Sequence, residues 1–408
     1  MQKVAVRCCI AGGGPAGVMA GLLLARAGVD VVVLEKHGDF FRDFRGDTIH
    51  PSTLQLMHEL GILDDLLKLP HQKADHLSFQ FGDANGVIAD FKRTKLRCRF
   101  VAFMPQWDFL DFLARYAARY PTFSLKMGAE ATGLIEENGR IVGVTATTPR
   151  GPLEVRADLV IAADGRHSSL RDNAGLAVEE FGAPMDVLWF SLPRAPSDPD
   201  ETMGRFDPGS VLVAIDRRDY WQIGDVIAKG AFDEIKRQGL EKFRAHLREL
   251  APYLGDRVAQ LDDWEKVRLL TVQVNRAKTW YRPGFLAIGD AAHAMSPIGG
   301  VGINLAVQDA VAASNILAAP LASRTLSEDD LARVQKRREF PTRVIQGFQL
   351  MVQNRVLTRV LSGAPLETPL AVKLLRCFPA LRAFPALFLG VGVRPEHVRT
   401  APRWPEKG

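Results

Sequence analysis

Apolar residues run unbroken from Val4 to Ile10 apart from Arg7, give way to the glycine-rich Ala11 to Gly17, and resume in the Leu-, Met- and Ala-rich Val18 to Ala27. That order reads as a buried strand followed by a helix packed on it. Gly28 stops the helix, and a second apolar run, Val31 to Leu34, ends on Glu35. The pattern predicts a βαβ unit. Asp108 to Tyr120 then places Phe109, Phe112, Leu113 and Tyr116 at helical spacing. Phe123 to Met127, Thr132 to Glu136 and Ile141 to Thr147 read as short strands, the last two joined by the turn-forming Asn138-Gly139. Ala157 to Ala163 predicts a buried strand, and the α/β pattern returns at Phe285 to Asp290. Pro297 to Gly302 leads into a long helix over Ile303 to Ala319.

Two stretches break this alternation. Leu77 to Phe81 and Val87 to Phe91 flank the turn-like Asp83 to Gly86 and predict an inserted hairpin. Between Glu179 and Val267 lie the β-type runs Val187 to Leu192, Val211 to Ile215 and Tyr220 to Asp225, then one charged helix from Phe232 to Leu250. Lys92, Arg93, Lys95, Arg97 and Arg99 partly alternate, so several are expected on one strand face, either solvated or forming an anion-attracting rim. Ser52 with Gln55 reads as a capping box opening a helix that Gly61 ends. Beyond Ser327 the chain reads as helical, with Pro341 as a break. The apolar Phe384 to Val393, with Pro385 inside it, is too short to span a bilayer, so no stable membrane insertion is expected. The resulting division is a discontinuous α/β body at 1–74, 105–178 and 268–345, an inserted mixed-sheet domain at 75–104 and 179–267, and C-terminal helices at 346–408.

Composition narrows the classes. At 408 residues, with 47% hydrophobic and 24% charged, the chain has room for two or three cores and is neither disordered nor fibrous. Its net charge of +5 is small, and no aromatic pattern accompanies the basic residues, so no nucleic acid is expected as a partner. Cys8, Cys9, Cys98 and Cys377 show neither disulfide nor metal-ligand spacing, which suits a reducing cytoplasm. The glycine fingerprint accounts for the N-terminal apolar stretch, so no targeting segment is expected.

The chemistry lies in the glycines and acids. Gly12 allows a tight turn, Gly14 lets a pyrophosphate approach the backbone, and Gly17 lets helix and strand pack closely. Free N–H groups at the helix start face the anion. Glu35, roughly 20 residues beyond the first glycine, suits a ribose hydroxyl. Asp290 ends a strand at the carboxyl edge of the sheet, where its carboxylate either accepts from a sugar-like hydroxyl or caps a helix. Gly299, Gly300 and Gly302 let the backbone approach a flat ring, with the next helix pointing its positive end there.

These motifs, with Asp164-Gly165-x-x-Ser168-x-x-Arg171 and Gly289-Asp290-Ala291-Ala292-His293 followed by Pro297, Gly300, Gly302 and Asn304, resemble the signature set of the single-component FAD-dependent aromatic hydroxylases, the para-hydroxybenzoate hydroxylase-like flavoprotein monooxygenases. The resemblance covers about three quarters of the chain. It implies a Rossmann-like, glutathione reductase-type FAD-binding domain with an inserted mixed β-sheet substrate domain and C-terminal helices. It further implies non-covalent FAD, NADPH or NADH as donor, O2, and transfer of one oxygen from a flavin hydroperoxide to an aromatic or polyketide-like molecule. Flavin contacts then fall to Gly12, Gly14, Pro15, Ala16, Gly17, Glu35, Lys36, Arg45, Gln106, Asp164, Gly165, Arg171, Gly289, Asp290, Pro297, Gly300, Gly302, Ile303 and Asn304, with Arg45 and Pro297 nearest the ring. Val301 stands where many relatives carry Gln. Arg166, His167 and Arg171 form a candidate docking cluster for the donor, NADPH ahead of NADH, unless Arg171 only pairs with Asp164 or Asp172. His293 is either an acid-base group or a structural hydrogen bonder. Trp189, Phe190, Phe206, Trp221 and Ile223 are either pocket lining or core. The C-terminal apolar helices are core, a homodimer interface or a docking surface. Reduction of isoprenoid-type double bonds and a non-catalytic redox module are the alternative functions.

Overall fold

A computed structural model describes residues 2–41, 48–82, 84–199, 202–366 and 368–404. The chain opens with β1 (Gln2–Ala11), α1 (Pro15–Arg26) and β2 (Val31–Glu35). After α2 (Pro51–Glu59) comes a hairpin of β3 (His76–Phe81) and β4 (Ala84–Asp90). Then follow α3 (Gln106–Ala117), β5 (Phe123–Met127), β6 (Glu130–Glu137), β7 (Arg140–Thr148) and β8 (Gly151–Ala162). Strands β9 (Met185–Pro193), β10 (Met203–Asp207), β11 (Ser210–Asp216), β12 (Tyr220–Ala228) and β13 (Arg268–Leu270) precede β14 (Phe285–Ala287). The long helices are α4 (Gly302–Ser323) and α5 (Glu328–Val352), and the shorter α6 (Leu370–Cys377) and α7 (Ala383–Gly390) come last.

Two sheets organise these elements. In the first, β14, β8, β1, β2 and β5 are parallel neighbours in that order, and β7 and β6 extend it antiparallel from β8. Helices α1, α3 and α4 cover it, and the core is built from side chains such as Ile10, Leu22, Val33, Phe109 and Val311. Burial on both faces explains why these strands read as continuous apolar runs. In the second sheet the order is β13, β9, β12, β11, β10, β3, β4, mixed because β10 lies parallel to β3. The early hairpin thus joins strands more than a hundred residues later. Helix α4 and the residues leading into it form one apolar stretch, Ile298–Ser323, long enough to cross a membrane; 72% of its apolar window is buried inside the protein, as expected of a core helix.

Several local expectations need correction. Phe81 pairs with Ala84, so the hairpin reverses one step early and Asn85 and Gly86 lie in β4; Gly86 leaves room there for the Phe79 ring. The basic residues after β4 share no strand face: Phe91–Arg93 is a 3-10 turn, with Lys92 paired to Asp75 and Arg93 to Asp90. Ser52 lies inside α2, whose first residue is Pro51, and the Asn304 side chain supplies the acceptor for this end. Gly239, at φ +91°, splits the charged helix into Phe232–Gln238 and Leu240–Leu250. Pro341 does not break α5. Buried Leu331, Val334 and Ile345 and the side-chain bonds of Arg338, Gln346 and Gln349 hold the helix across the missing N–H.

Candidate nucleotide and flavin site

Three distant stretches meet at the carboxyl edge of the parallel sheet. The Gly12 amide donates to the Leu34 carbonyl (2.8 Å), Ala163 donates to Ala11 (2.7 Å), and Ile288 donates to Ala162 (3.0 Å). A Cβ on Gly12 would lie 2.2 Å from the Ala163 carbonyl oxygen, and one on Gly17 would lie 1.8 Å from that of Gly12. Packing therefore dictates both glycines. Gly14 and Gly302 differ: neither has positive φ, and a Cβ on either would meet nothing within 4 Å. Neither backbone conformation nor a protein neighbour asks for glycine at these two positions.

Both lie at helix starts. Val18 is the first amide of α1 to bond back, to Gly14, and Leu305 the first of α4, to Val301. Among the described residues nothing accepts from the amides of Ala16 and Gly17, nor from those of Ile303 and Asn304. Two sets of unpaired donors at positive helix ends thus face one edge of the sheet, with open space at the glycine beside each. That is a cradle for an extended anionic ligand, and a dinucleotide fits it. Pro15, as the first residue of α1, gives up no hydrogen bond there.

Glu35 is buried at the end of β2, where one carboxylate oxygen accepts from the Gly13 amide (2.9 Å) and the other from His37 (3.0 Å). Lys36 beside it is exposed. Asp164 is 2.5 Å from the Ser168 hydroxyl and also accepts from Leu170. Burial pushes its carboxyl above the usual range, and those two bonds and the Arg171 charge only partly offset this. Gly165 has φ +92° and nothing near its missing Cβ. Arg171 turns inward: its guanidinium pairs with Asp172 (2.9 Å) and reaches the Ala291 carbonyl (3.4 Å). Arg166 pairs with Asp290 at 3.4 Å and His167 is exposed, so the three basic residues do not form one open cluster. Gly289, at φ +60°, packs against Ala16 and Ala306, joining the first and third motifs.

The glycine loop is anchored through side chains. The Thr48 hydroxyl donates to the Gly300 carbonyl (2.6 Å), and the Asn304 Oδ1 accepts from the His50 amide (3.1 Å) and the Thr53 hydroxyl (2.6 Å). The Asn304 Nδ2 donates to the Thr48 carbonyl (3.3 Å), so this side chain is spent on α2 and the residues leading into it. Ile303 is buried, Pro297 is half-buried, and Gln106 is the first residue of α3. Arg45 lies outside the described residues. His50, buried behind the loop, has its pKa pushed down to about 4 chiefly by burial.

Two residues that the sequence reading passed over hold the third motif. Asp309, fully buried in α4, accepts from the Gly289 amide (3.0 Å), from His293 (2.6 Å) and from Arg338 (2.9 Å). Burial alone would raise its pKa; His293 and Arg338 bring it below the ordinary range. His293 is thus a structural bonder. A lone acid inside an apolar helix was the available signal. Of the apolar candidates in the second sheet, Phe190, Trp221 and Ile223 pack under the helices at 232–260, whereas Trp189 and Phe206 belong to the clusters on the other face.

A family model described as an FAD binding domain matches residues 5–347. The chain is 32% identical over 377 residues to 6-methylpretetramide 4-monooxygenase of Streptomyces rimosus, covering 92% of this chain and 90% of that one. It is 28% identical over 307 residues to a 3-(3-hydroxy-phenyl)propionate/3-hydroxycinnamic acid hydroxylase of Burkholderia cenocepacia, and spans about half that relative's length (54%). Its fold matches the crystal structure of PqsL, a probable FAD-dependent monooxygenase from Pseudomonas aeruginosa, at a TM-score of 0.73 and 20% identity, covering 88% of this chain and 98% of that one. With signature motifs, sheet order and near full-length similarity in agreement, the chain belongs to the FAD-dependent aromatic hydroxylase-type flavoprotein monooxygenases.

Proposed function

We infer that this chain is an FAD-dependent monooxygenase that hydroxylates or epoxidises an aromatic or polyketide-like small molecule, taking electrons from NADPH or NADH and oxygen from O2, in the cytoplasm. The observation that carries the reading is the cradle of two unpaired helix starts, with Gly14 and Gly302 open to it. The near full-length relative, whose name states oxygenation of 6-methylpretetramide, supports the substrate class. Bound FAD supplies the redox chemistry and the activation of oxygen.

The chain's own residues have separable tasks. The amides of Ala16 and Gly17 bind the diphosphate, Glu35 takes the adenosine ribose, and Asp290 takes the polyol chain that links phosphate to ring. Gly165 and the Asp164 turn close the near side. The amides of Ile303 and Asn304, at the positive end of α4, stabilise negative charge on the reduced ring. Pro297, Gly300 and Gly302 let backbone reach its plane. The first sheet with α4 and α5 forms the cofactor domain, and the second sheet, hairpin included, covers the ring and shapes the substrate space. Arg166 and His167 are left to meet the donor, and assembly as a homodimer is part of the same reading.

The test is aerobic turnover of the yellow protein with a panel of phenols, indoles, quinolones and polyketide-like aromatics. NAD(P)H consumption and incorporation of labelled O2 into one product are expected. Oxidation of NAD(P)H without label in any product would refute monooxygenation, and no steady oxidation at all would favour a redox module.

A further inference from the structure

Six large apolar side chains stand in solvent along one short stretch. Leu370, Leu374, Phe378, Leu381, Phe384 and Leu387 are between 36% and 72% exposed. On α6 the spacing i, i+3, i+4, i+7 puts Leu370, Lys373, Leu374 and Cys377 on one outward face, while Val372 beds against the second sheet's core. An exposed apolar patch of this continuity marks a binding surface.

Charge decides what covers it. Between residues 346 and 395 the sequence holds six basic residues, Arg355, Arg359, Lys373, Arg376, Arg382 and Arg394, against the single acid Glu367. Lys373 and Arg376 are exposed, with no carboxylate partner among the described residues. A two-fold contact with a second copy would set these cations against themselves. An anionic bilayer surface complements both features, because the Leu and Phe side chains enter the boundary between headgroups and acyl chains while Lys and Arg meet the phosphates.

We propose that α6, the turn after it and α7 form a reversible docking surface for anionic phospholipid membranes. The inner side of the same segment touches both sheets' territory: Leu389 packs on Gly299 of the glycine loop, Gly390 on Phe91, and Arg376 on Gly86 of the hairpin. Docking therefore brings a bilayer against the segment that bridges the candidate flavin loop and the second sheet.

The experiment is co-sedimentation of the full-length, FAD-loaded protein with vesicles of phosphatidylglycerol and phosphatidylcholine, or of phosphatidylcholine alone. Binding to the anionic vesicles that weakens with salt is expected, about tenfold or more above neutral ones. Lys373→Glu with Arg376→Glu should lower it about tenfold or more, and Leu374→Ser with Phe384→Ser should lower it at unchanged charge. The matched reversal Lys242→Glu with Lys278→Glu should leave it intact. FAD content and melting temperature report folding, and Lys373→Gln with Arg376→Gln replaces any variant that misfolds. No binding to anionic vesicles, or equal loss in the control reversal, would overturn the proposal. So would a concentration-dependent dimer that Leu374→Ser dissolves, because the patch would then lie between copies, or capture of an acidic soluble protein without vesicle binding.

Discussion

At the scale of single residues, the glycines of one motif separate into two kinds. Gly12 and Gly17 are required by protein backbone within 2.2 Å of their absent Cβ atoms, whereas Gly14 faces open space. Gly14→Val should therefore purify in wild-type yield and melt like the apoprotein, yet carry at least about tenfold less FAD, while Gly12→Ala should lose folded protein. Flavin absorbance per mole of chain measures the first, and a fully yellow Gly14→Val would refute the assigned role. Asp198 offers a second residue-scale prediction, on pH. Burial alone would raise its pKa, but paired hydrogen bonds from Arg257 at 2.6 Å, the Ala195 amide and the Trp221 indole bring it from 3.8 to about 2. A depressed folded pKa gives stability that is present above the unfolded value and is lost as pH falls from about 4 toward 2. Asp198→Asn should flatten that acid limb, worth on the order of 2 kcal/mol, in denaturant titrations of the second sheet. An unchanged limb would mean that another carboxylate sets it.

The element scale shows what sequence periodicity can and cannot carry. The βαβ start was legible because its cues are local: the run Val31 to Leu34, the stop at Gly28 and the acid at Glu35 all lie within one short segment. The second sheet was legible as strands but not as a sheet order, since nothing in Leu77 to Phe81 says that it pairs with residues 203–206. The continuity of α5 through Pro341 was illegible for the same reason. Its support is tertiary, a face where Gln346 bonds the carbonyls of Asn275 and Ala294, and Gln349 those of Ser296 and Ile298. Gln349 also accepts from the Ser296 amide, so one buried side chain holds three backbone groups at the base of the glycine loop. Gln349→Leu strands all three and should destabilise the apoprotein by about 2 kcal/mol or more, with faster amide exchange confined to residues 296–302. Protection there equal to wild type would show that the loop holds itself.

At the scale of the molecule, the end of the chain is tied to its beginning and to the candidate site. His397 and the Val398 amide bond Glu59 of α2, the Asn315 side chain bonds the His397 carbonyl, and Arg26 of α1 reaches Thr400. The buried Glu396 is the centre of this clasp. Its carboxylate pairs with Arg337 at 2.6 Å and lies 3.6 Å from Arg338, whose guanidinium holds Asp309, which in turn holds the Gly289 amide. Hydrogen bonds and ion pairs, with the 3.6 Å contact between Glu396 and Arg338 as the one link that is an ion pair alone, therefore run from the tail to the turn that carries Asp290. Pairings such as Glu59 with His397, more than three hundred residues apart, leave no periodic trace, so the clasp could not be read from the chain. Neutralising Glu396 loses its bond with the part-exposed Arg337 and its pairing with the buried Arg338, which keeps Asp309, at about 2 kcal/mol. Glu396→Gln should accordingly melt well below wild type, and its first loss of structure should coincide with FAD release, because the strain falls on α4 and the Gly289 turn rather than on the second sheet. Calorimetry read beside flavin fluorescence tests both halves. A Glu396→Gln protein that melts early but releases FAD at the wild-type temperature would place the clasp outside the path to the site.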